Sequence, residues 1–198
     1  MTCWVVIPAK APPEAKGRLA GALDAASRAN LAEAMLKRAV AAASASSVAA
    51  GMAIVGRSRL GLPPAIELLP EPEGGLNAAV TSARAAIAAR GGSRIVTLAA
   101  DLPQVTAADV DALCNLPAGV IGIAPDRYGT GSNALSLPLP EALGFTYSYG
   151  INSCDLHKAE ATRLGLELHV IHTPGLARDI DEVADLADAQ DLLTRQEG

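Results

Sequence analysis

Short apolar runs, separated by longer stretches of mixed polarity, recur along this chain. Trp4–Pro8, Ile95–Ala100 and Val120–Ala124 contain almost no polar residue, which is typical of strands buried on both faces of a parallel sheet. Weaker runs predict four more strands, at Met52–Gly56, Ile66–Leu69, Ala134–Leu137 and Leu166–Ile171. The last of these alternates enough to predict an edge or antiparallel strand.

Helical periodicity fills the stretches between these runs. Helices are predicted over residues 27–45, 76–90 and 182–195, after residue 106, and around residue 157. Ser27 has a side chain suited to an N-cap, and Thr106 with Asp109 has the spacing of a capping box. The alternation of strands and helices predicts one α/β domain over residues 1–198, a three-layer sandwich with a mostly parallel sheet. Trp4–Pro8 and Ile95–Ala100 should be central strands of that sheet.

Composition excludes several classes of function. The chain is 50% hydrophobic but only 3% aromatic, so it lacks the aromatic platforms of base-stacking nucleic-acid proteins. A net charge of -5 also argues against a nonspecific polyanion partner. Cys3, Cys114 and Cys154 form no CxxC pair, which predicts reduced, packed thiols instead of zinc ligands or disulfides. With no signal-peptide pattern and no unbroken apolar span, we predict a cytoplasmic protein without a membrane partner.

Asp101 is the first candidate for chemistry, because it directly follows the apolar run Ile95–Ala100. Open parallel sheets bind ligands outside the carboxyl ends of their strands. A carboxylate at that position, next to an apolar wall, is suited to hold a divalent cation beneath a phosphate. The alternative is an aspartate in a solvated turn.

A cationic loop follows the first predicted strand. Residues 9–19 carry Lys10, Lys16 and Arg18, and two adjacent prolines exclude a helix there. Such a loop is suited to cradle a triphosphate at the carboxyl edge of the sheet, although a solvated basic loop is the alternative. Neither a GxxxxGK[ST] nor a GxGxxG motif is present.

Polar groups also follow the strand Val120–Ala124. The loop over residues 125–133 combines two glycines with hydroxyl and amide side chains, and we expect free backbone N–H groups at Thr130 and Gly131 beside the Ser132 hydroxyl. Gly150 and Ser153 lie in the next polar stretch, just before a predicted helix. This set of donors would suit an anionic ligand.

Four further polar residues leave two interpretations open. Asn77 lies in the first turn of its predicted helix, where it could contact a base or ribose or act as a local cap. Asp179 and Asp181 are two residues apart, so on an extended segment they face one side and would share a cation. Asp181 could equally cap the terminal helix. His157 on its helix is more typical of a structural histidine.

These charges together match metal-assisted phosphoryl or nucleotidyl transfer. Asp101, Asp179 and Asp181 would hold Mg²⁺ on phosphate oxygens, while the cationic loop would neutralise a leaving pyrophosphate. No Ser-His-Asp or Cys-His arrangement is evident. None is required if the attacking group is itself a phosphate, since a phosphomonoester is already anionic near neutrality.

Six motifs, taken in order, resemble those of the guanylyltransferases of coenzyme F420 biosynthesis. They are IPAKAPPEAKGRL, GGLNAA, AADLP, PDRYGTGSN, YGINSCDLH and PGLARDID, and they cover nearly the whole chain. The resemblance implies a nucleotide-diphospho-sugar-transferase-like, Rossmann-like fold and transfer of GMP from GTP to a phosphorylated three-carbon acid. In different members the acid is 2-phospho-L-lactate, phosphoenolpyruvate or 3-phospho-D-glycerate.

The resemblance also implies roles for individual residues and a homodimer. It implies Mg²⁺ on Asp101, Asp179 and Asp181, and catalytic roles for Lys10, Lys16, Arg18 and Asp101. The acid would contact Lys10, Ser132, Gly150 and Ser153. The nucleotide would contact Pro8, Lys16, Arg18, Gly75 and Asn77.

Two departures from the family pattern concern the acid more than the reaction class. Gly17 stands where a hydroxyl residue is usual, and Ser132 stands where threonine is common. Two other functions are weighed against the guanylyltransferase. A molybdopterin or sugar-phosphate nucleotidyltransferase would usually carry a glycine-rich LxGGxSxRMG-type loop, which Ile7–Leu19 lacks. A catalytically silent nucleotide-binding domain would be expected to lose acidic metal positions, whereas all three are present.

Overall fold

A computed structural model describes residues 2–9 and 16–194 of the chain, within which seven strands form one sheet. The strands are β1 (Cys3–Pro8), β2 (Ala49–Gly56), β3 (Glu67–Pro70), β4 (Arg94–Leu98), β5 (Val120–Pro125), β6 (Ser132–Pro138) and β7 (Glu167–Val170). The helices are α1 (Ala25–Ser44), α2 (Gly75–Ala89), α3 (Ala107–Cys114), α4 (Ser153–Arg163), α5 (Pro174–Ala177) and α6 (Gln190–Thr194). Short 3₁₀ helices cover Gly17–Gly21 and Val183–Ala189.

The strand order confirms the predicted mostly parallel sheet. It reads β3-β2-β1-β4-β6-β5-β7, with β4 in the middle and β1 beside it. Only β6 runs antiparallel to its neighbours, β4 and β5, and the other adjacent pairs are parallel. The strand predicted at residues 166–171 is β7, which lies at the edge and pairs parallel with β5. Its edge position is confirmed, and the antiparallel alternative is wrong.

Helices cover both faces of the sheet, as the sequence predicts for a three-layer sandwich. Alternate residues of the central strands enter different clusters: Val96 packs with residues of α1 and α3, whereas Ile95 packs with residues of α2 and α4. Strands buried on both faces need apolar side chains at successive positions. This explains why their runs are continuous in the sequence.

Local capping chemistry sets several helix boundaries. The predicted capping box of Thr106 and Asp109 is present at α3. Ser27 is not the N-cap of α1, because the helix begins at Ala25 and the Asp24 carboxylate accepts the Ser27 backbone N–H. A carboxylate three residues upstream can satisfy a free N–H of the first turn, which moves the start of the helix back.

The end of the chain also differs from its prediction. Instead of one helix from Glu182, a 3₁₀ helix over Val183–Ala189 precedes α6. Glu182 is the N-cap, in a capping box with Asp185, so Asp181 is not the cap. Asp181 gives its backbone N–H to the Asp185 carboxylate, and its own carboxylate stays available for another partner.

The reversed direction of β6 brings two distant loops together. Ser132 and Asn133, predicted to lie in a loop, are the first residues of β6. Because β6 is antiparallel to β4, these residues lie beside the carboxyl end of β4, where the Ala99 N–H donates to the Asn133 carbonyl at 2.8 Å. The first residues of β6 therefore meet residues following β4.

Two predictions made from composition can be compared with the described residues. Cys3, Cys114 and Cys154 are all free and buried, as expected of packed thiols. None of the helices in residues 2–9 and 16–194 has both the length and the apolar character that crossing a membrane requires.

Candidate active site at the carboxyl edge of the sheet

A cavity of about 390 Å³ lies at the carboxyl edge of the sheet, where β1 and β4 end. This is where open α/β sheets bind their ligands. Its wall includes five residues singled out from the sequence: Pro8, Lys16, Asp101, Ser132 and Asp179. The remaining predicted site residues of the described chain lie outside that wall: Arg18, Gly75, Asn77, Gly150, Ser153 and Asp181.

Lys16 is the cation at the centre of the charged groups. It precedes the 3₁₀ helix over Gly17–Gly21 and has a left-handed backbone, with φ 59°. Its ammonium lies 2.6 Å from Asp101 Oδ2 and 3.1 Å from Asp181 Oδ1. The Lys16 side chain is only 9% exposed, so the charge is held inside the site and is not free to solvate.

The two carboxylates decide the protonation of Lys16. Burial by itself would lower the pKa of the Lys16 ammonium, but Asp101 and then Asp181 outweigh it, and the pKa is raised above its ordinary value. Lys16 is therefore charged throughout the physiological range.

Asp179 is the third member of the acidic group. Burial, followed by the nearby charge of Asp101, raises the pKa of the Asp179 carboxyl. The Asn133 amide opposes this by donating to Asp179 Oδ1 at 3.3 Å, while also donating to the Leu176 carbonyl at 2.9 Å. A further cation near the Asp179 carboxyl would stabilise its charged form.

The predicted convergence of acidic residues can now be assessed. The Ile180 N–H donates to the Asp101 backbone carbonyl at 3.2 Å, which ties the segment of Asp179 and Asp181 to the end of β4. Within the described residues, however, no group of three His, Cys, Asp or Glu side chains has the arrangement of a ready metal cluster. Asp101 and Asp181 instead pair with the ammonium of Lys16.

The two other predicted cations differ in position from Lys16. Arg18 lies 3.6 Å from Asp181 Oδ2, and its side chain is 74% exposed. It thus borders the acidic group from the solvent side. Lys10 lies outside the described residues.

The loop before β6 does not offer the free N–H groups predicted from its glycines. The Asp126 carboxylate accepts the backbone N–H groups of Tyr128, Thr130 and Gly131 and also the Thr130 hydroxyl. The expectation that Thr130 and Gly131 present free donors is therefore wrong. The negative charge that these groups bind comes from within their own loop, because Asp126 is only a few residues away.

Ser132 and Ser153 are linked to each other. The Ser132 N–H donates to Ser153 Oγ at 3.0 Å, and Ser153 is 2% exposed. Ser132 is one of the residues lining the cavity, and its hydroxyl contacts His157 Nδ1 at 2.9 Å. In this structure Ser153 thus holds the start of β6 in place, and a direct contact of Ser153 with an acid stays a prediction.

Asn77 is not the local cap considered from the sequence, because its side chain bonds the backbone of Tyr149, while its contact with a nucleotide stays a prediction. Its amide accepts the Tyr149 N–H at 2.8 Å and donates to the Tyr149 carbonyl at 3.2 Å. The Tyr149 hydroxyl in turn lies 2.7 Å from Thr97 Oγ1. Asn77 therefore fixes Tyr149 against the cavity wall. Gly75 and Gly150, at the ends of this arrangement, have positive φ values of 72° and 135°.

Sequence reasoning gave no site role of their own to four polar residues of the cavity wall: Glu33, Thr97, Asn133 and Tyr149. Thr97 had a usable signal, because it is the only polar residue in the run Ile95–Ala100. The roles of Asn133 and Tyr149 depend on partners more than 40 residues away along the chain, and no local pattern indicates such pairs.

Known proteins similar to this chain share one activity in their names. A family model described as "Guanylyl transferase CofC like" matches residues 3–192. A phosphoenolpyruvate guanylyltransferase of Conexibacter woesei is 34% identical, covering 100% of this chain and 92% of the relative. A 3-phospho-D-glycerate guanylyltransferase of Phenylobacterium zucineum is 35% identical, covering 86% of this chain and 82% of the relative.

Solved structures support the same fold. The structure of a proposed nucleotide-diphospho-sugar transferase from Desulfovibrio desulfuricans superposes with a TM-score of 0.77 and covers 98% of both chains, at 15% identity. At so low a sequence identity, the likeness shows a shared fold and nothing about function. The fold of this chain is nucleotide-diphospho-sugar transferase-like, as the motif resemblance implies.

Proposed function

Because the chain belongs to the CofC-like guanylyl transferase family, we propose that it transfers GMP from GTP to a phosphorylated three-carbon acid in coenzyme F420 biosynthesis. A phosphate oxygen of the acid attacks the α-phosphorus of GTP, and the bond from that phosphorus to the bridging oxygen of the β-phosphate breaks. Pyrophosphate leaves with the bonding electrons. Phosphoenolpyruvate and 3-phospho-D-glycerate are the proposed acids, from the names of the relatives.

The observation that carries this proposal is the buried cation beside the acidic group at the cavity wall. Lys16 is charged, 9% exposed and in contact with Asp101. Two anions must be brought together for the attack, so the site needs fixed positive charge more than it needs a base. Lys16 would lie against phosphate oxygens when the nucleotide displaces it from one of its carboxylates.

The acid would bind at the cavity wall where β6 begins. Ser132 has a hydroxyl there, on a buried and hydrogen-bonded strand end. Gly150, Ser153 and Lys10 stay the other proposed contacts of the acid. Pro8, Lys16, Arg18, Gly75 and Asn77 stay the proposed contacts of the nucleotide.

The acidic residues fit a magnesium ion by their chemistry. Carboxylate oxygens are the ligands that Mg²⁺ prefers, and one or two of them suffice when substrate phosphates complete the shell. Asp101 and Asp181 already share one cation, the Lys16 ammonium, and Asp179 lies beside them. Asp101, Asp179 and Asp181 would therefore hold Mg²⁺, which supplies charge neutralisation on the phosphate oxygens.

Pyrophosphate release from GTP with each acid tests the function. Phosphoenolpyruvate, 3-phospho-D-glycerate and 2-phospho-L-lactate are supplied in turn with Mg²⁺, and the guanylylated product is identified by mass spectrometry. Asp101→Asn should abolish release while folding is retained, and Asp155→Asn, a change at a largely exposed carboxylate of α4, should not. Absence of release with all three acids, or normal turnover by Asp101→Asn at saturating Mg²⁺, contradicts the proposal.

Sedimentation of the same preparation measures whether the expected homodimer forms.

A further inference from the structure

One buried titratable group has no part in the proposed reaction. His157 lies on α4 and is 0% exposed. Its ring packs against Phe145 and Tyr149, with ring centroids 5.7 Å and 5.0 Å apart. Both of its nitrogens nevertheless have polar partners, one of which lies at the cavity wall.

The backbone determines which nitrogen of His157 carries the proton. The Ser148 N–H points to His157 Nε2 at 2.9 Å, and a backbone N–H can only donate. Nε2 must therefore offer its lone pair, so the proton of the neutral ring is on Nδ1. Burial lowers the pKa of His157 to about 4, although the nearby charge of Glu160 acts in the opposite direction, and the ring is therefore neutral near pH 7.

This tautomer in turn determines the role of the Ser132 hydroxyl. His157 Nδ1 lies 2.9 Å from Ser132 Oγ, so the ring donates and the hydroxyl oxygen accepts. The hydroxyl proton of Ser132 is then left for another acceptor. With the opposite tautomer, Ser132 would donate to the ring and present a lone pair to the cavity, which would repel an anion.

We propose that His157 is a positioning residue that forces the Ser132 hydroxyl to act as a hydrogen-bond donor toward the anionic acid. The inference rests on the proposed function, because it takes the ligand of Ser132 to be the acid. The backbone of Ser132 supports it, since the Ser132 N–H already donates to Ser153 Oγ and the hydroxyl is the polar group that this cavity-lining residue has left. His157 thus acts on the substrate only through Ser132.

Nitrogen-15 NMR of the imidazole rings tests the tautomer directly. The chain has only three histidines, so a His169→Gln, His172→Gln variant leaves one ring signal without altering His157. We expect a protonated δ nitrogen and an unprotonated ε nitrogen at pH 7. A proton on the ε nitrogen, or an averaged signal, overturns the inference.

A double-mutant cycle on steady-state kinetics tests the role. His157→Gln keeps an amide near the position of Nε2 but has no group near Nδ1. It should raise the KM for the acid about tenfold in the presence of Ser132, because the Ser132 hydroxyl then loses the donor that orients it toward the acid. In a Ser132→Ala background the same change should have no further effect on that KM. His157→Asn, whose amide lies near the δ position, should recover part of the loss.

The outcomes separate this inference from the proposed function. If the unaltered protein shows no turnover with any of the acids, the proposed function itself is contradicted. Normal turnover by the unaltered protein, combined with a His157→Gln effect of equal size with and without Ser132, overturns the inference alone. So does an effect confined to the KM for GTP. If His157→Gln fails to fold, the NMR result on the unaltered ring decides.

Discussion

At the scale of single residues, Lys16 and its acidic neighbours depend on one another. A buried ammonium is costly unless it is paired, and three carboxylates close together repel unless a cation lies among them. Lys16 with Asp101 and Asp181 satisfies both conditions. These same charges would therefore be rearranged when phosphates enter the site.

Lys16→Met tests that dependence. Methionine keeps much of the side-chain volume and removes the charge, so we expect kcat for guanylyl transfer to fall about a hundredfold, as when a charge-stabilising donor is removed from an active site. Steady-state assays at saturating GTP and acid measure this. Lys158→Met, which removes a 40% exposed cation of α4, is the matched control and should keep the original kcat. Equal rates for the two variants would show that Lys16 has no part in catalysis.

His157 predicts a pH dependence of the free energy of unfolding. Burial lowers its pKa to about 4 from an ordinary value of 6.5. At a pH between these two pKa values, His157 is protonated in the unfolded chain and neutral in the folded chain. The stability contributed by the neutral ring is therefore complete above pH 6.5 and is lost as the pH falls toward 4, by roughly 3 kcal/mol.

Urea unfolding at pH 7 and pH 4 measures this loss. In His157→Gln, which has no ionisable ring at this position, the fall in the free energy of unfolding from pH 7 to pH 4 should be smaller by the contribution of His157. In His169→Gln, which removes an exposed ring on β7, the fall between the same two pH values should equal that of the unaltered protein. A His157→Gln variant with the unaltered pH dependence would contradict the assignment.

At the scale of elements, turns and short helices decide where the charged side chains lie. The 3₁₀ helix over Gly17–Gly21 begins just after the left-handed Lys16. Gly17 itself does not have a positive φ, and a Cβ there would meet no atom within 4 Å. This position could therefore carry a side chain, consistent with the hydroxyl residue usual in the family pattern.

A pair of glycine substitutions follows from these conformations. Gly17→Ala should raise the free energy of unfolding by about 0.4–1 kcal/mol, because it removes conformational freedom from the unfolded chain without strain. Gly165→Ala should lower it by about 1–2 kcal/mol, since Gly165 follows α4 with φ 66° and alanine is strained there. Urea titrations of both variants measure the effects. Destabilisation by Gly17→Ala would contradict the assigned backbone.

At the scale of the whole molecule, the site is closed by contacts between segments far apart in the chain. Lys16 and Asp101 are 85 residues apart, and Lys16 and Asp181 are 165 residues apart. Asn77 and Tyr149 are 72 residues apart, and their two hydrogen bonds join the start of α2 to the stretch before α4.

Asn77→Ala tests that connection. It leaves both backbone groups of Tyr149 without their partner in a partly buried place, so the free energy of unfolding should fall by about 1–3 kcal/mol. Thr81→Ala on the same helix removes an exposed hydrogen bond to the Asn77 carbonyl and should change stability by no more than about 0.5 kcal/mol. Unfolding of the two variants side by side measures the difference. Equal effects would mean that Asn77 does not hold Tyr149.

The sequence by itself determined the elements and the chemistry that they carry. Continuous apolar runs indicated central strands because both faces of the sheet are covered, and the Thr106 capping box indicated a helix start because its contacts are local. The position of Asp101 after Ile95–Ala100 placed a carboxylate at the ligand-binding edge. The ordered motifs indicated the guanylyltransferase family, which the family model and the relatives confirm.

Only the tertiary structure decided how those groups meet. Periodicity does not report strand direction, so the antiparallel β6 that brings Ser132 and Asn133 beside the end of β4 could not be read from the chain. The sequence also did not indicate which groups hydrogen-bond to each other. The Asp126 carboxylate accepts N–H groups of its loop that were predicted to be free, and the Ser148 N–H orients the ring of His157. The physical reason is the same in each case, since hydrogen-bond partners are chosen by proximity in the folded molecule, and sequence patterns encode only local geometry and burial.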